Sequence, residues 1–161
     1  MPVLDALERL RRDAGFMANV RAWERLPPRP ARYAEAPAGL SPRLLAALRQ
    51  RGTSPLFTHQ AAAVEAALAG ENLVVVTGTA SGKTLCYNLP VLQALLEDGD
   101  ARAIYLFPTK ALTQDQLNTF RKLEEAEKAG GGRSTWNLHP AIYDGDTPSS
   151  QRKAIREKAR I

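Results

Sequence analysis

The sequence predicts an α/β fold: a parallel sheet flanked by helices, preceded by a helical, proline-rich arm. Three observations predict it. Residues 73–76 (Leu-Val-Val-Val) and 103–107 (Ala-Ile-Tyr-Leu-Phe) are continuous apolar runs, the pattern of strands buried on both faces. Each run leads into a segment with apolar residues at helical spacing. With a third run over 138–143, the order is β-α-β-α-β-α, which implies right-handed crossovers. Finally, seven of the 11 prolines fall in residues 1–55, so an irregular first third precedes a regular remainder. The 161 residues therefore divide into an arm, 1–40, and an α/β region, 41–161.

Taken in order, Leu4, Leu7 and Leu10 recur at helical spacing, with Gly15 as the expected stop. Residues 26–37 carry too many prolines for a helix interior and read as an extended arm. Ser41 followed by Pro42 is a helix start, Leu44, Leu45 and Leu48 are its apolar face, and Gly52 ends it. A second helix runs from about residue 58 to 69 and is closed by Gly70. After the strand at 73–76 comes a glycine-containing loop, then a helix through Leu85, Leu89, Leu92 and Leu96. After the strand at 103–107, Leu112, Leu117, Phe120 and Leu123 mark a helix over 110–128. A glycine-rich loop covers 130–135. Pro140 makes the run at 138–143 an edge or irregular strand, and a last helix covers 149–159.

Composition narrows the class. Apolar residues make up 44% and charged residues 24%, the profile of a globular protein rather than a disordered or fibrous chain. No apolar run reaches the length of a membrane span, and charges at the start argue against export, so a cytoplasmic, or in a bacterium nucleoid-associated, location is expected. A single cysteine, Cys86, excludes an internal disulfide and reads as a small buried hydrophobe. Net charge is +5 and unevenly spread: residues 1–50 hold nine Arg, no Lys and five acids, and the last helix is also basic. Basic ends attract a polyanion, although basic helix faces also occur without a partner.

The strongest chemical signal is Thr77-Gly78-Thr79-Ala80-Ser81-Gly82-Lys83-Thr84, placed between a predicted strand and a predicted helix. That context is what a phosphate-binding loop requires. The glycines let successive N–H groups face an anion, and the helix adds its positive N-terminal end. Lys83 is placed for the β- and γ-phosphates of ATP, and the Thr84 hydroxyl for Mg²⁺. The first position, Thr77, is usually glycine.

Four segments, in order, resemble superfamily 2 helicases of the DEAD/DEAH-box type, most of all the mitomycin-repair (MrfA-type) DNA helicases and their RecQ-related fungal relatives. Leu56-Phe57-Thr58-His59-Gln60 resembles the adenine-reading Q motif, and residues 77–84 resemble motif I. Phe107-Pro108-Thr109-Lys110-Ala111-Leu112 resembles motif Ia, and Tyr143-Asp144-Gly145-Asp146-Thr147 resembles a later nucleic-acid-contacting turn. The resemblance implies an incomplete RecA-like P-loop domain with ATP and Mg²⁺ as cofactors. It implies DNA as partner, RNA not being excluded, no membrane partner, and a parent that unwinds DNA in the 3′–5′ sense, with a role in repair.

Residue by residue, Gln60 has the donors and acceptor to pair with adenine, or it caps its own helix. Phe57 packs against the base or belongs to the core, and His59 is a surface or capping residue. Pro108, Thr109 and Lys110 lie at the carboxyl end of a predicted strand, where they hold a nucleic-acid phosphate or, for Thr109, cap a helix. Gly145, Asp146 and Thr147 approach a strand backbone, or Asp146 or Thr147 caps the last helix. Trp23 and Trp136 stack on bases or anchor packing, and His139 has no matching metal ligands. The Asp and Glu that the family uses to hold Mg²⁺ and activate water are expected on the strand after the last helix, with further domains beyond. The 161 residues alone are therefore expected to bind nucleotide with negligible turnover. The alternatives are an RNA helicase or duplex translocase of the same superfamily, or a non-catalytic nucleotide-binding module.

Overall fold

A computed structural model describes residues 2–28, 30–128 and 136–161; the loop expected over 130–135 lies outside the described residues. The chain forms two compact units, Met1–Ala31 and Arg32–Ile161, so the division falls earlier than the expected boundary at residue 40. The reason is local: Tyr33 and Ala34 pair with Phe57 and Leu56, and Leu40 is buried in the core of the second unit.

In the first unit, α1 (Val3–Arg12) has no buried residue, and Leu4, Leu7 and Leu10 are exposed. Gly15 is not the stop. Asp13 ends α1 and caps α2 (Ala14–Met17), its carboxylate accepting the Phe16 N–H at 3.0 Å. Trp23 lies under the Arg11 guanidinium, 5.5 Å from its ring centroid.

The second unit opens with β1 (Tyr33–Ala34), which pairs antiparallel with β2 (Leu56–Phe57). Between them lies α3 (Pro42–Gln50). Ser41 caps it by accepting the Arg43 N–H, Pro42 occupies the first turn, and Gly52 follows its end at φ 65°. Next come α4 (Thr58–Leu68), α5 (Thr84–Glu97), α6 (Lys110–Lys128) and α7 (Ser149–Lys158). These helices match their expected positions because each closes its own backbone hydrogen bonds and needs only an apolar face to dock. Leu44, Leu48, Leu56, Val64, Leu89, Leu92, Phe120, Leu123, Trp136 and Leu138 make one core. Trp136 is thus a packing anchor, and Cys86 is the small buried residue expected, its thiol pushed up by burial.

The expected parallel sheet is not formed as a ladder. Among the described residues the ladder is β1–β2, and residues 73–76 and 103–107 are not buried on both faces. They keep the period-two alternation of strands: Val74, Val76, Ile104 and Leu106 are exposed, while Val75, Tyr105 and Phe107 are half-buried. A strand's N–H and C=O groups need a neighbouring main chain, which a helix does not. Where a neighbour is present, pairing begins. Arg160 and Ile161 lie between two segments: Ala103 N–H donates to the Arg160 carbonyl, Arg160 N–H to His139, and Ala141 N–H to Ile161. Partner numbers rise together across 139–141 and 160–161, as in a parallel pairing. The buried Arg160 guanidinium adds hydrogen bonds to the carbonyls of Leu95, Asp98, Ala101 and Asn137, closing the C-terminal end of α5.

Candidate functional site

The loop 77–84 leaves the first extended segment and enters α5. Ala80 (φ 56°) and Gly82 (φ 74°) take the left-handed conformation, which curls the backbone. Lys83 turns back into this curl. Its ammonium donates to the carbonyls of Gly78 (2.7 Å) and Thr77 (3.1 Å), with the Thr77 and Ser81 hydroxyls at 3.3 and 3.4 Å. Those two hydroxyls also bond each other at 2.5 Å. Thr77, in place of the usual glycine, thus contributes its side chain to the loop. Thr79 lies on the exposed rim, and Thr84 is the first residue of α5, with the Tyr87 hydroxyl 3.4 Å from its own.

The loop is fastened from α4. Gln60 is buried at 2% exposure. Its Oε1 accepts the Phe57 N–H at 2.9 Å, and its Nε2 donates to the Gly82 carbonyl at 2.9 Å. The cap reading of Gln60 therefore holds, and the same amide ties the Q-like segment to the phosphate loop. A Cβ on Gly82 would stand 2.5 Å from Gln60 Nε2, so the amide would have to shift, and the φ of 74° is itself one that favours glycine. His59 is not merely a surface residue, because its Nε2 lies 3.0 Å from the Ser81 carbonyl. Phe57 is engaged by two rings, Tyr33 at 5.2 Å and His59 at 5.8 Å, both near parallel. Tyr33 is the exposed member of this stack. Sequence reading missed it; the signal lay in β1 pairing with β2, which no local pattern reveals.

A second cluster joins the other two segments. Pro108 is exposed ahead of α6, and the Thr109 hydroxyl accepts the Leu112 N–H, so Thr109 is the helix cap. Lys110 forms an ion pair with Asp146, which raises the Lys110 pKa, chiefly through the hydrogen bond between them. Neither Asp146 nor Thr147 caps α7, since Pro148 holds that position. Instead Thr147 Oγ1 accepts the Asp144 N–H at 2.8 Å, and Asp144 Oδ1 accepts the Asp146 N–H at 2.9 Å. Gly145 is the exposed corner of this turn. Arg152 braces it by donating to the Thr147 carbonyl and lying over the Tyr143 ring.

A polar chain of Tyr105, Asn88 and Gln116 runs between α5 and α6. The Tyr105 hydroxyl donates to Asn88 at 3.0 Å, and Asn88 Nδ2 donates to Gln116 at 3.4 Å. Burial, with Tyr87 adding to it, pushes the Tyr105 phenol above its ordinary range, so it remains a donor at all working pH. This chain links α5, which carries the phosphate loop, to α6, which begins at Lys110. Among the described residues no group of three or more His, Cys, Asp or Glu side chains could hold a metal ion. No helix among them is long and apolar enough to cross a membrane.

A curled loop between a strand-like segment and a helix, with its lysine turned inward, defines a P-loop nucleotide-binding protein. Over residues 57–161 the chain matches the DEAD/DEAH box helicases, and it belongs to that family. It is 42% identical over 143 residues to the ATP-dependent helicase YprA of Bacillus subtilis (strain 168), covering 89% of this chain and 18% of that protein. It is 31% identical over 159 residues to the ATP-dependent helicase HRQ1 of Saccharomyces cerevisiae, covering 96% of this chain and 14% of that one. The crystal structure of the helicase MrfA bound to DNA and AMPPNP superposes with a TM-score of 0.81 at 39% identity, covering 98% of this chain and 21% of MrfA. The chain thus spans about a fifth or less of the length of these relatives. A TM-score of that size supports the RecA-like α/β class even though the strand segments are not laddered here.

Proposed function

We propose that this chain is the ATP-binding part of an ATP-dependent DNA helicase. The observation that carries the reading is the setting of Lys83. Its ammonium already sits inside a curled loop, against the Gly78 and Thr77 carbonyls, which phosphate oxygens would replace as its partners. In that exchange the loop amides and the first turn of α5 donate to the phosphates, and Lys83 neutralises their charge. The Thr84 hydroxyl is a hard oxygen donor at the same helix start and fits as one ligand of Mg²⁺. Bound there, the ion would supply charge neutralisation to the phosphates. Gln60 keeps a second lone pair on Oε1 and a second N–H on Nε2, which suit the N6 and N7 edge of adenine. The Phe57 and Tyr33 rings form the aromatic wall beside it.

The nucleic-acid face is proposed at Pro108, Thr109, Lys110, Gly145, Asp146 and Thr147, which the Lys110–Asp146 pair draws together. Its contacts are to phosphate, so binding is salt-dependent and not sequence-specific. That MrfA was crystallised with DNA supports a nucleic-acid partner, not these particular contacts. In the whole protein, Mg²⁺-ATP hydrolysis should rise severalfold on adding single-stranded DNA. A rise with RNA alone would assign an RNA motor instead, and no rise with either would remove the helicase reading.

A further inference from the structure

We propose that His59 is a positioning residue of the phosphate site: it fixes the Ser81–Gly82 peptide so that the Gly82 N–H faces the triphosphate. The inference rests on the reading of the loop as the ATP site. A carbonyl oxygen only accepts, so at 3.0 Å from the Ser81 carbonyl the His59 Nε2 carries the proton and donates it. One residue on, Gln60 Nε2 donates to the Gly82 carbonyl at 2.9 Å. Two consecutive residues of α4 therefore hold two consecutive carbonyls of the loop.

In a trans peptide the C=O and the following N–H point in opposite directions. Holding the Ser81 carbonyl toward α4 turns the Gly82 N–H away from it. Holding the Gly82 carbonyl does the same for the Lys83 N–H. These are the amides at the entry to α5, where the left-handed Ala80 and Gly82 curl the loop into an anion nest. A peptide next to glycine rotates easily when nothing holds it. The imidazole is itself held: it stacks on Phe57 at an interplanar angle of 11°, and Phe57 stacks on Tyr33 at 15°.

Two substitutions separate the hydrogen bond from the stack. His59→Phe keeps the ring and loses the donor, whereas His59→Gln keeps a donor at similar reach and loses the ring. Titration of the whole protein with a fluorescent ATP analogue should show His59→Phe about five- to tenfold weaker, the size of one lost hydrogen bond. His59→Gln should stay within about threefold of the parent; His59→Phe should melt slightly lower, and its affinity loss should persist at temperatures well below the melting range. Parent-like affinity in His59→Phe, or equal loss in both variants, would overturn the proposal. Lys83→Ala distinguishes the two levels. If it abolishes binding while His59→Phe binds as tightly as the parent, the His59 inference alone fails; if it leaves binding intact, the ATP reading fails with it. Should His59→Phe not fold, the imidazole ¹⁵N spectrum of the unsubstituted protein decides: a protonated Nε2, protected further by ATP, supports the proposal, and a neutral ring protonated on Nδ1 overturns it.

Discussion

The two polar clusters of the second unit are held by different physics. Around the phosphate loop the fastening is at least half-buried and needs no ion pair: an amide exposed at 2% and a half-buried imidazole hold main-chain carbonyls. At the second cluster the fastening is exposed and charged, with the Lys110 and Asp146 side chains 62% and 80% accessible. A buried hydrogen bond is costly to leave unmade and indifferent to salt, whereas an exposed ion pair is weak and screened. On the proposed reading, the difference means that the nucleotide loop would be shaped before its ligand arrives, while the second site would be open to exchange one anion, Asp146, for another, a backbone phosphate.

The strongest way to break that comparison is Gly82→Ala. The new Cβ meets Gln60 Nε2 at 2.5 Å, at a backbone φ of 74°. It should cost about 1–3 kcal/mol of stability and most of the ATP affinity. Thermal melting and nucleotide titration check this, and a parent-like variant would show that the loop is not locked. Gln60→Ala comes next. It leaves the Phe57 N–H without its partner and the Gly82 carbonyl with the Leu85 N–H as its remaining donor, for about 1–3 kcal/mol. That loss should be the same in low and high salt, and a salt-dependent loss would contradict a neutral fastening.

The charged cluster should behave in the opposite way. Lys110→Ala should leave the melting midpoint unchanged, weaken DNA binding, and make the slope of log affinity against log salt shallower by about one. The smallest effect is expected of Asp146→Asn. Freeing Lys110 should raise DNA affinity by about threefold or less at low salt, and the gain should vanish at high salt. The hydrogen bond to Asp146 raises the Lys110 pKa, so the pair is present below the ordinary lysine value and lost only as the pH rises through the raised one. Both effects should therefore be flat across neutral pH. A DNA affinity that falls in Asp146→Asn would instead make Asp146 part of the contact.

How much of this was legible in the sequence follows from what each element needs. The start of α3 at Ser41 and Pro42 and the bounds of α6 were readable because helix signals are local. The phosphate loop was readable because glycine, lysine and threonine at fixed spacing have few other uses between a strand pattern and a helix pattern. The sheet was not: the alternation of 103–107 is present, but its pairing depends on main chain elsewhere. Gly15 misled because a glycine inside a short helix is locally indistinguishable from a stop, and the signal that counted was Asp13. Tyr33 and the carbonyl contact of His59 were invisible because both arise from pairings across many residues. The same holds for Arg160, which reads as one more basic residue in a charged tail yet is buried among carbonyls.

On the proposed reading, Lys83 and the curled amides around it hold the phosphate chain of ATP. Calorimetric titration of the whole protein and of Lys83→Ala with ATP, ADP and AMP tests it most directly. The account predicts that the parent binds ATP and ADP far more tightly than AMP, and that Lys83→Ala removes most of that difference. A Lys83→Ala protein that binds ATP as tightly as the parent would contradict it.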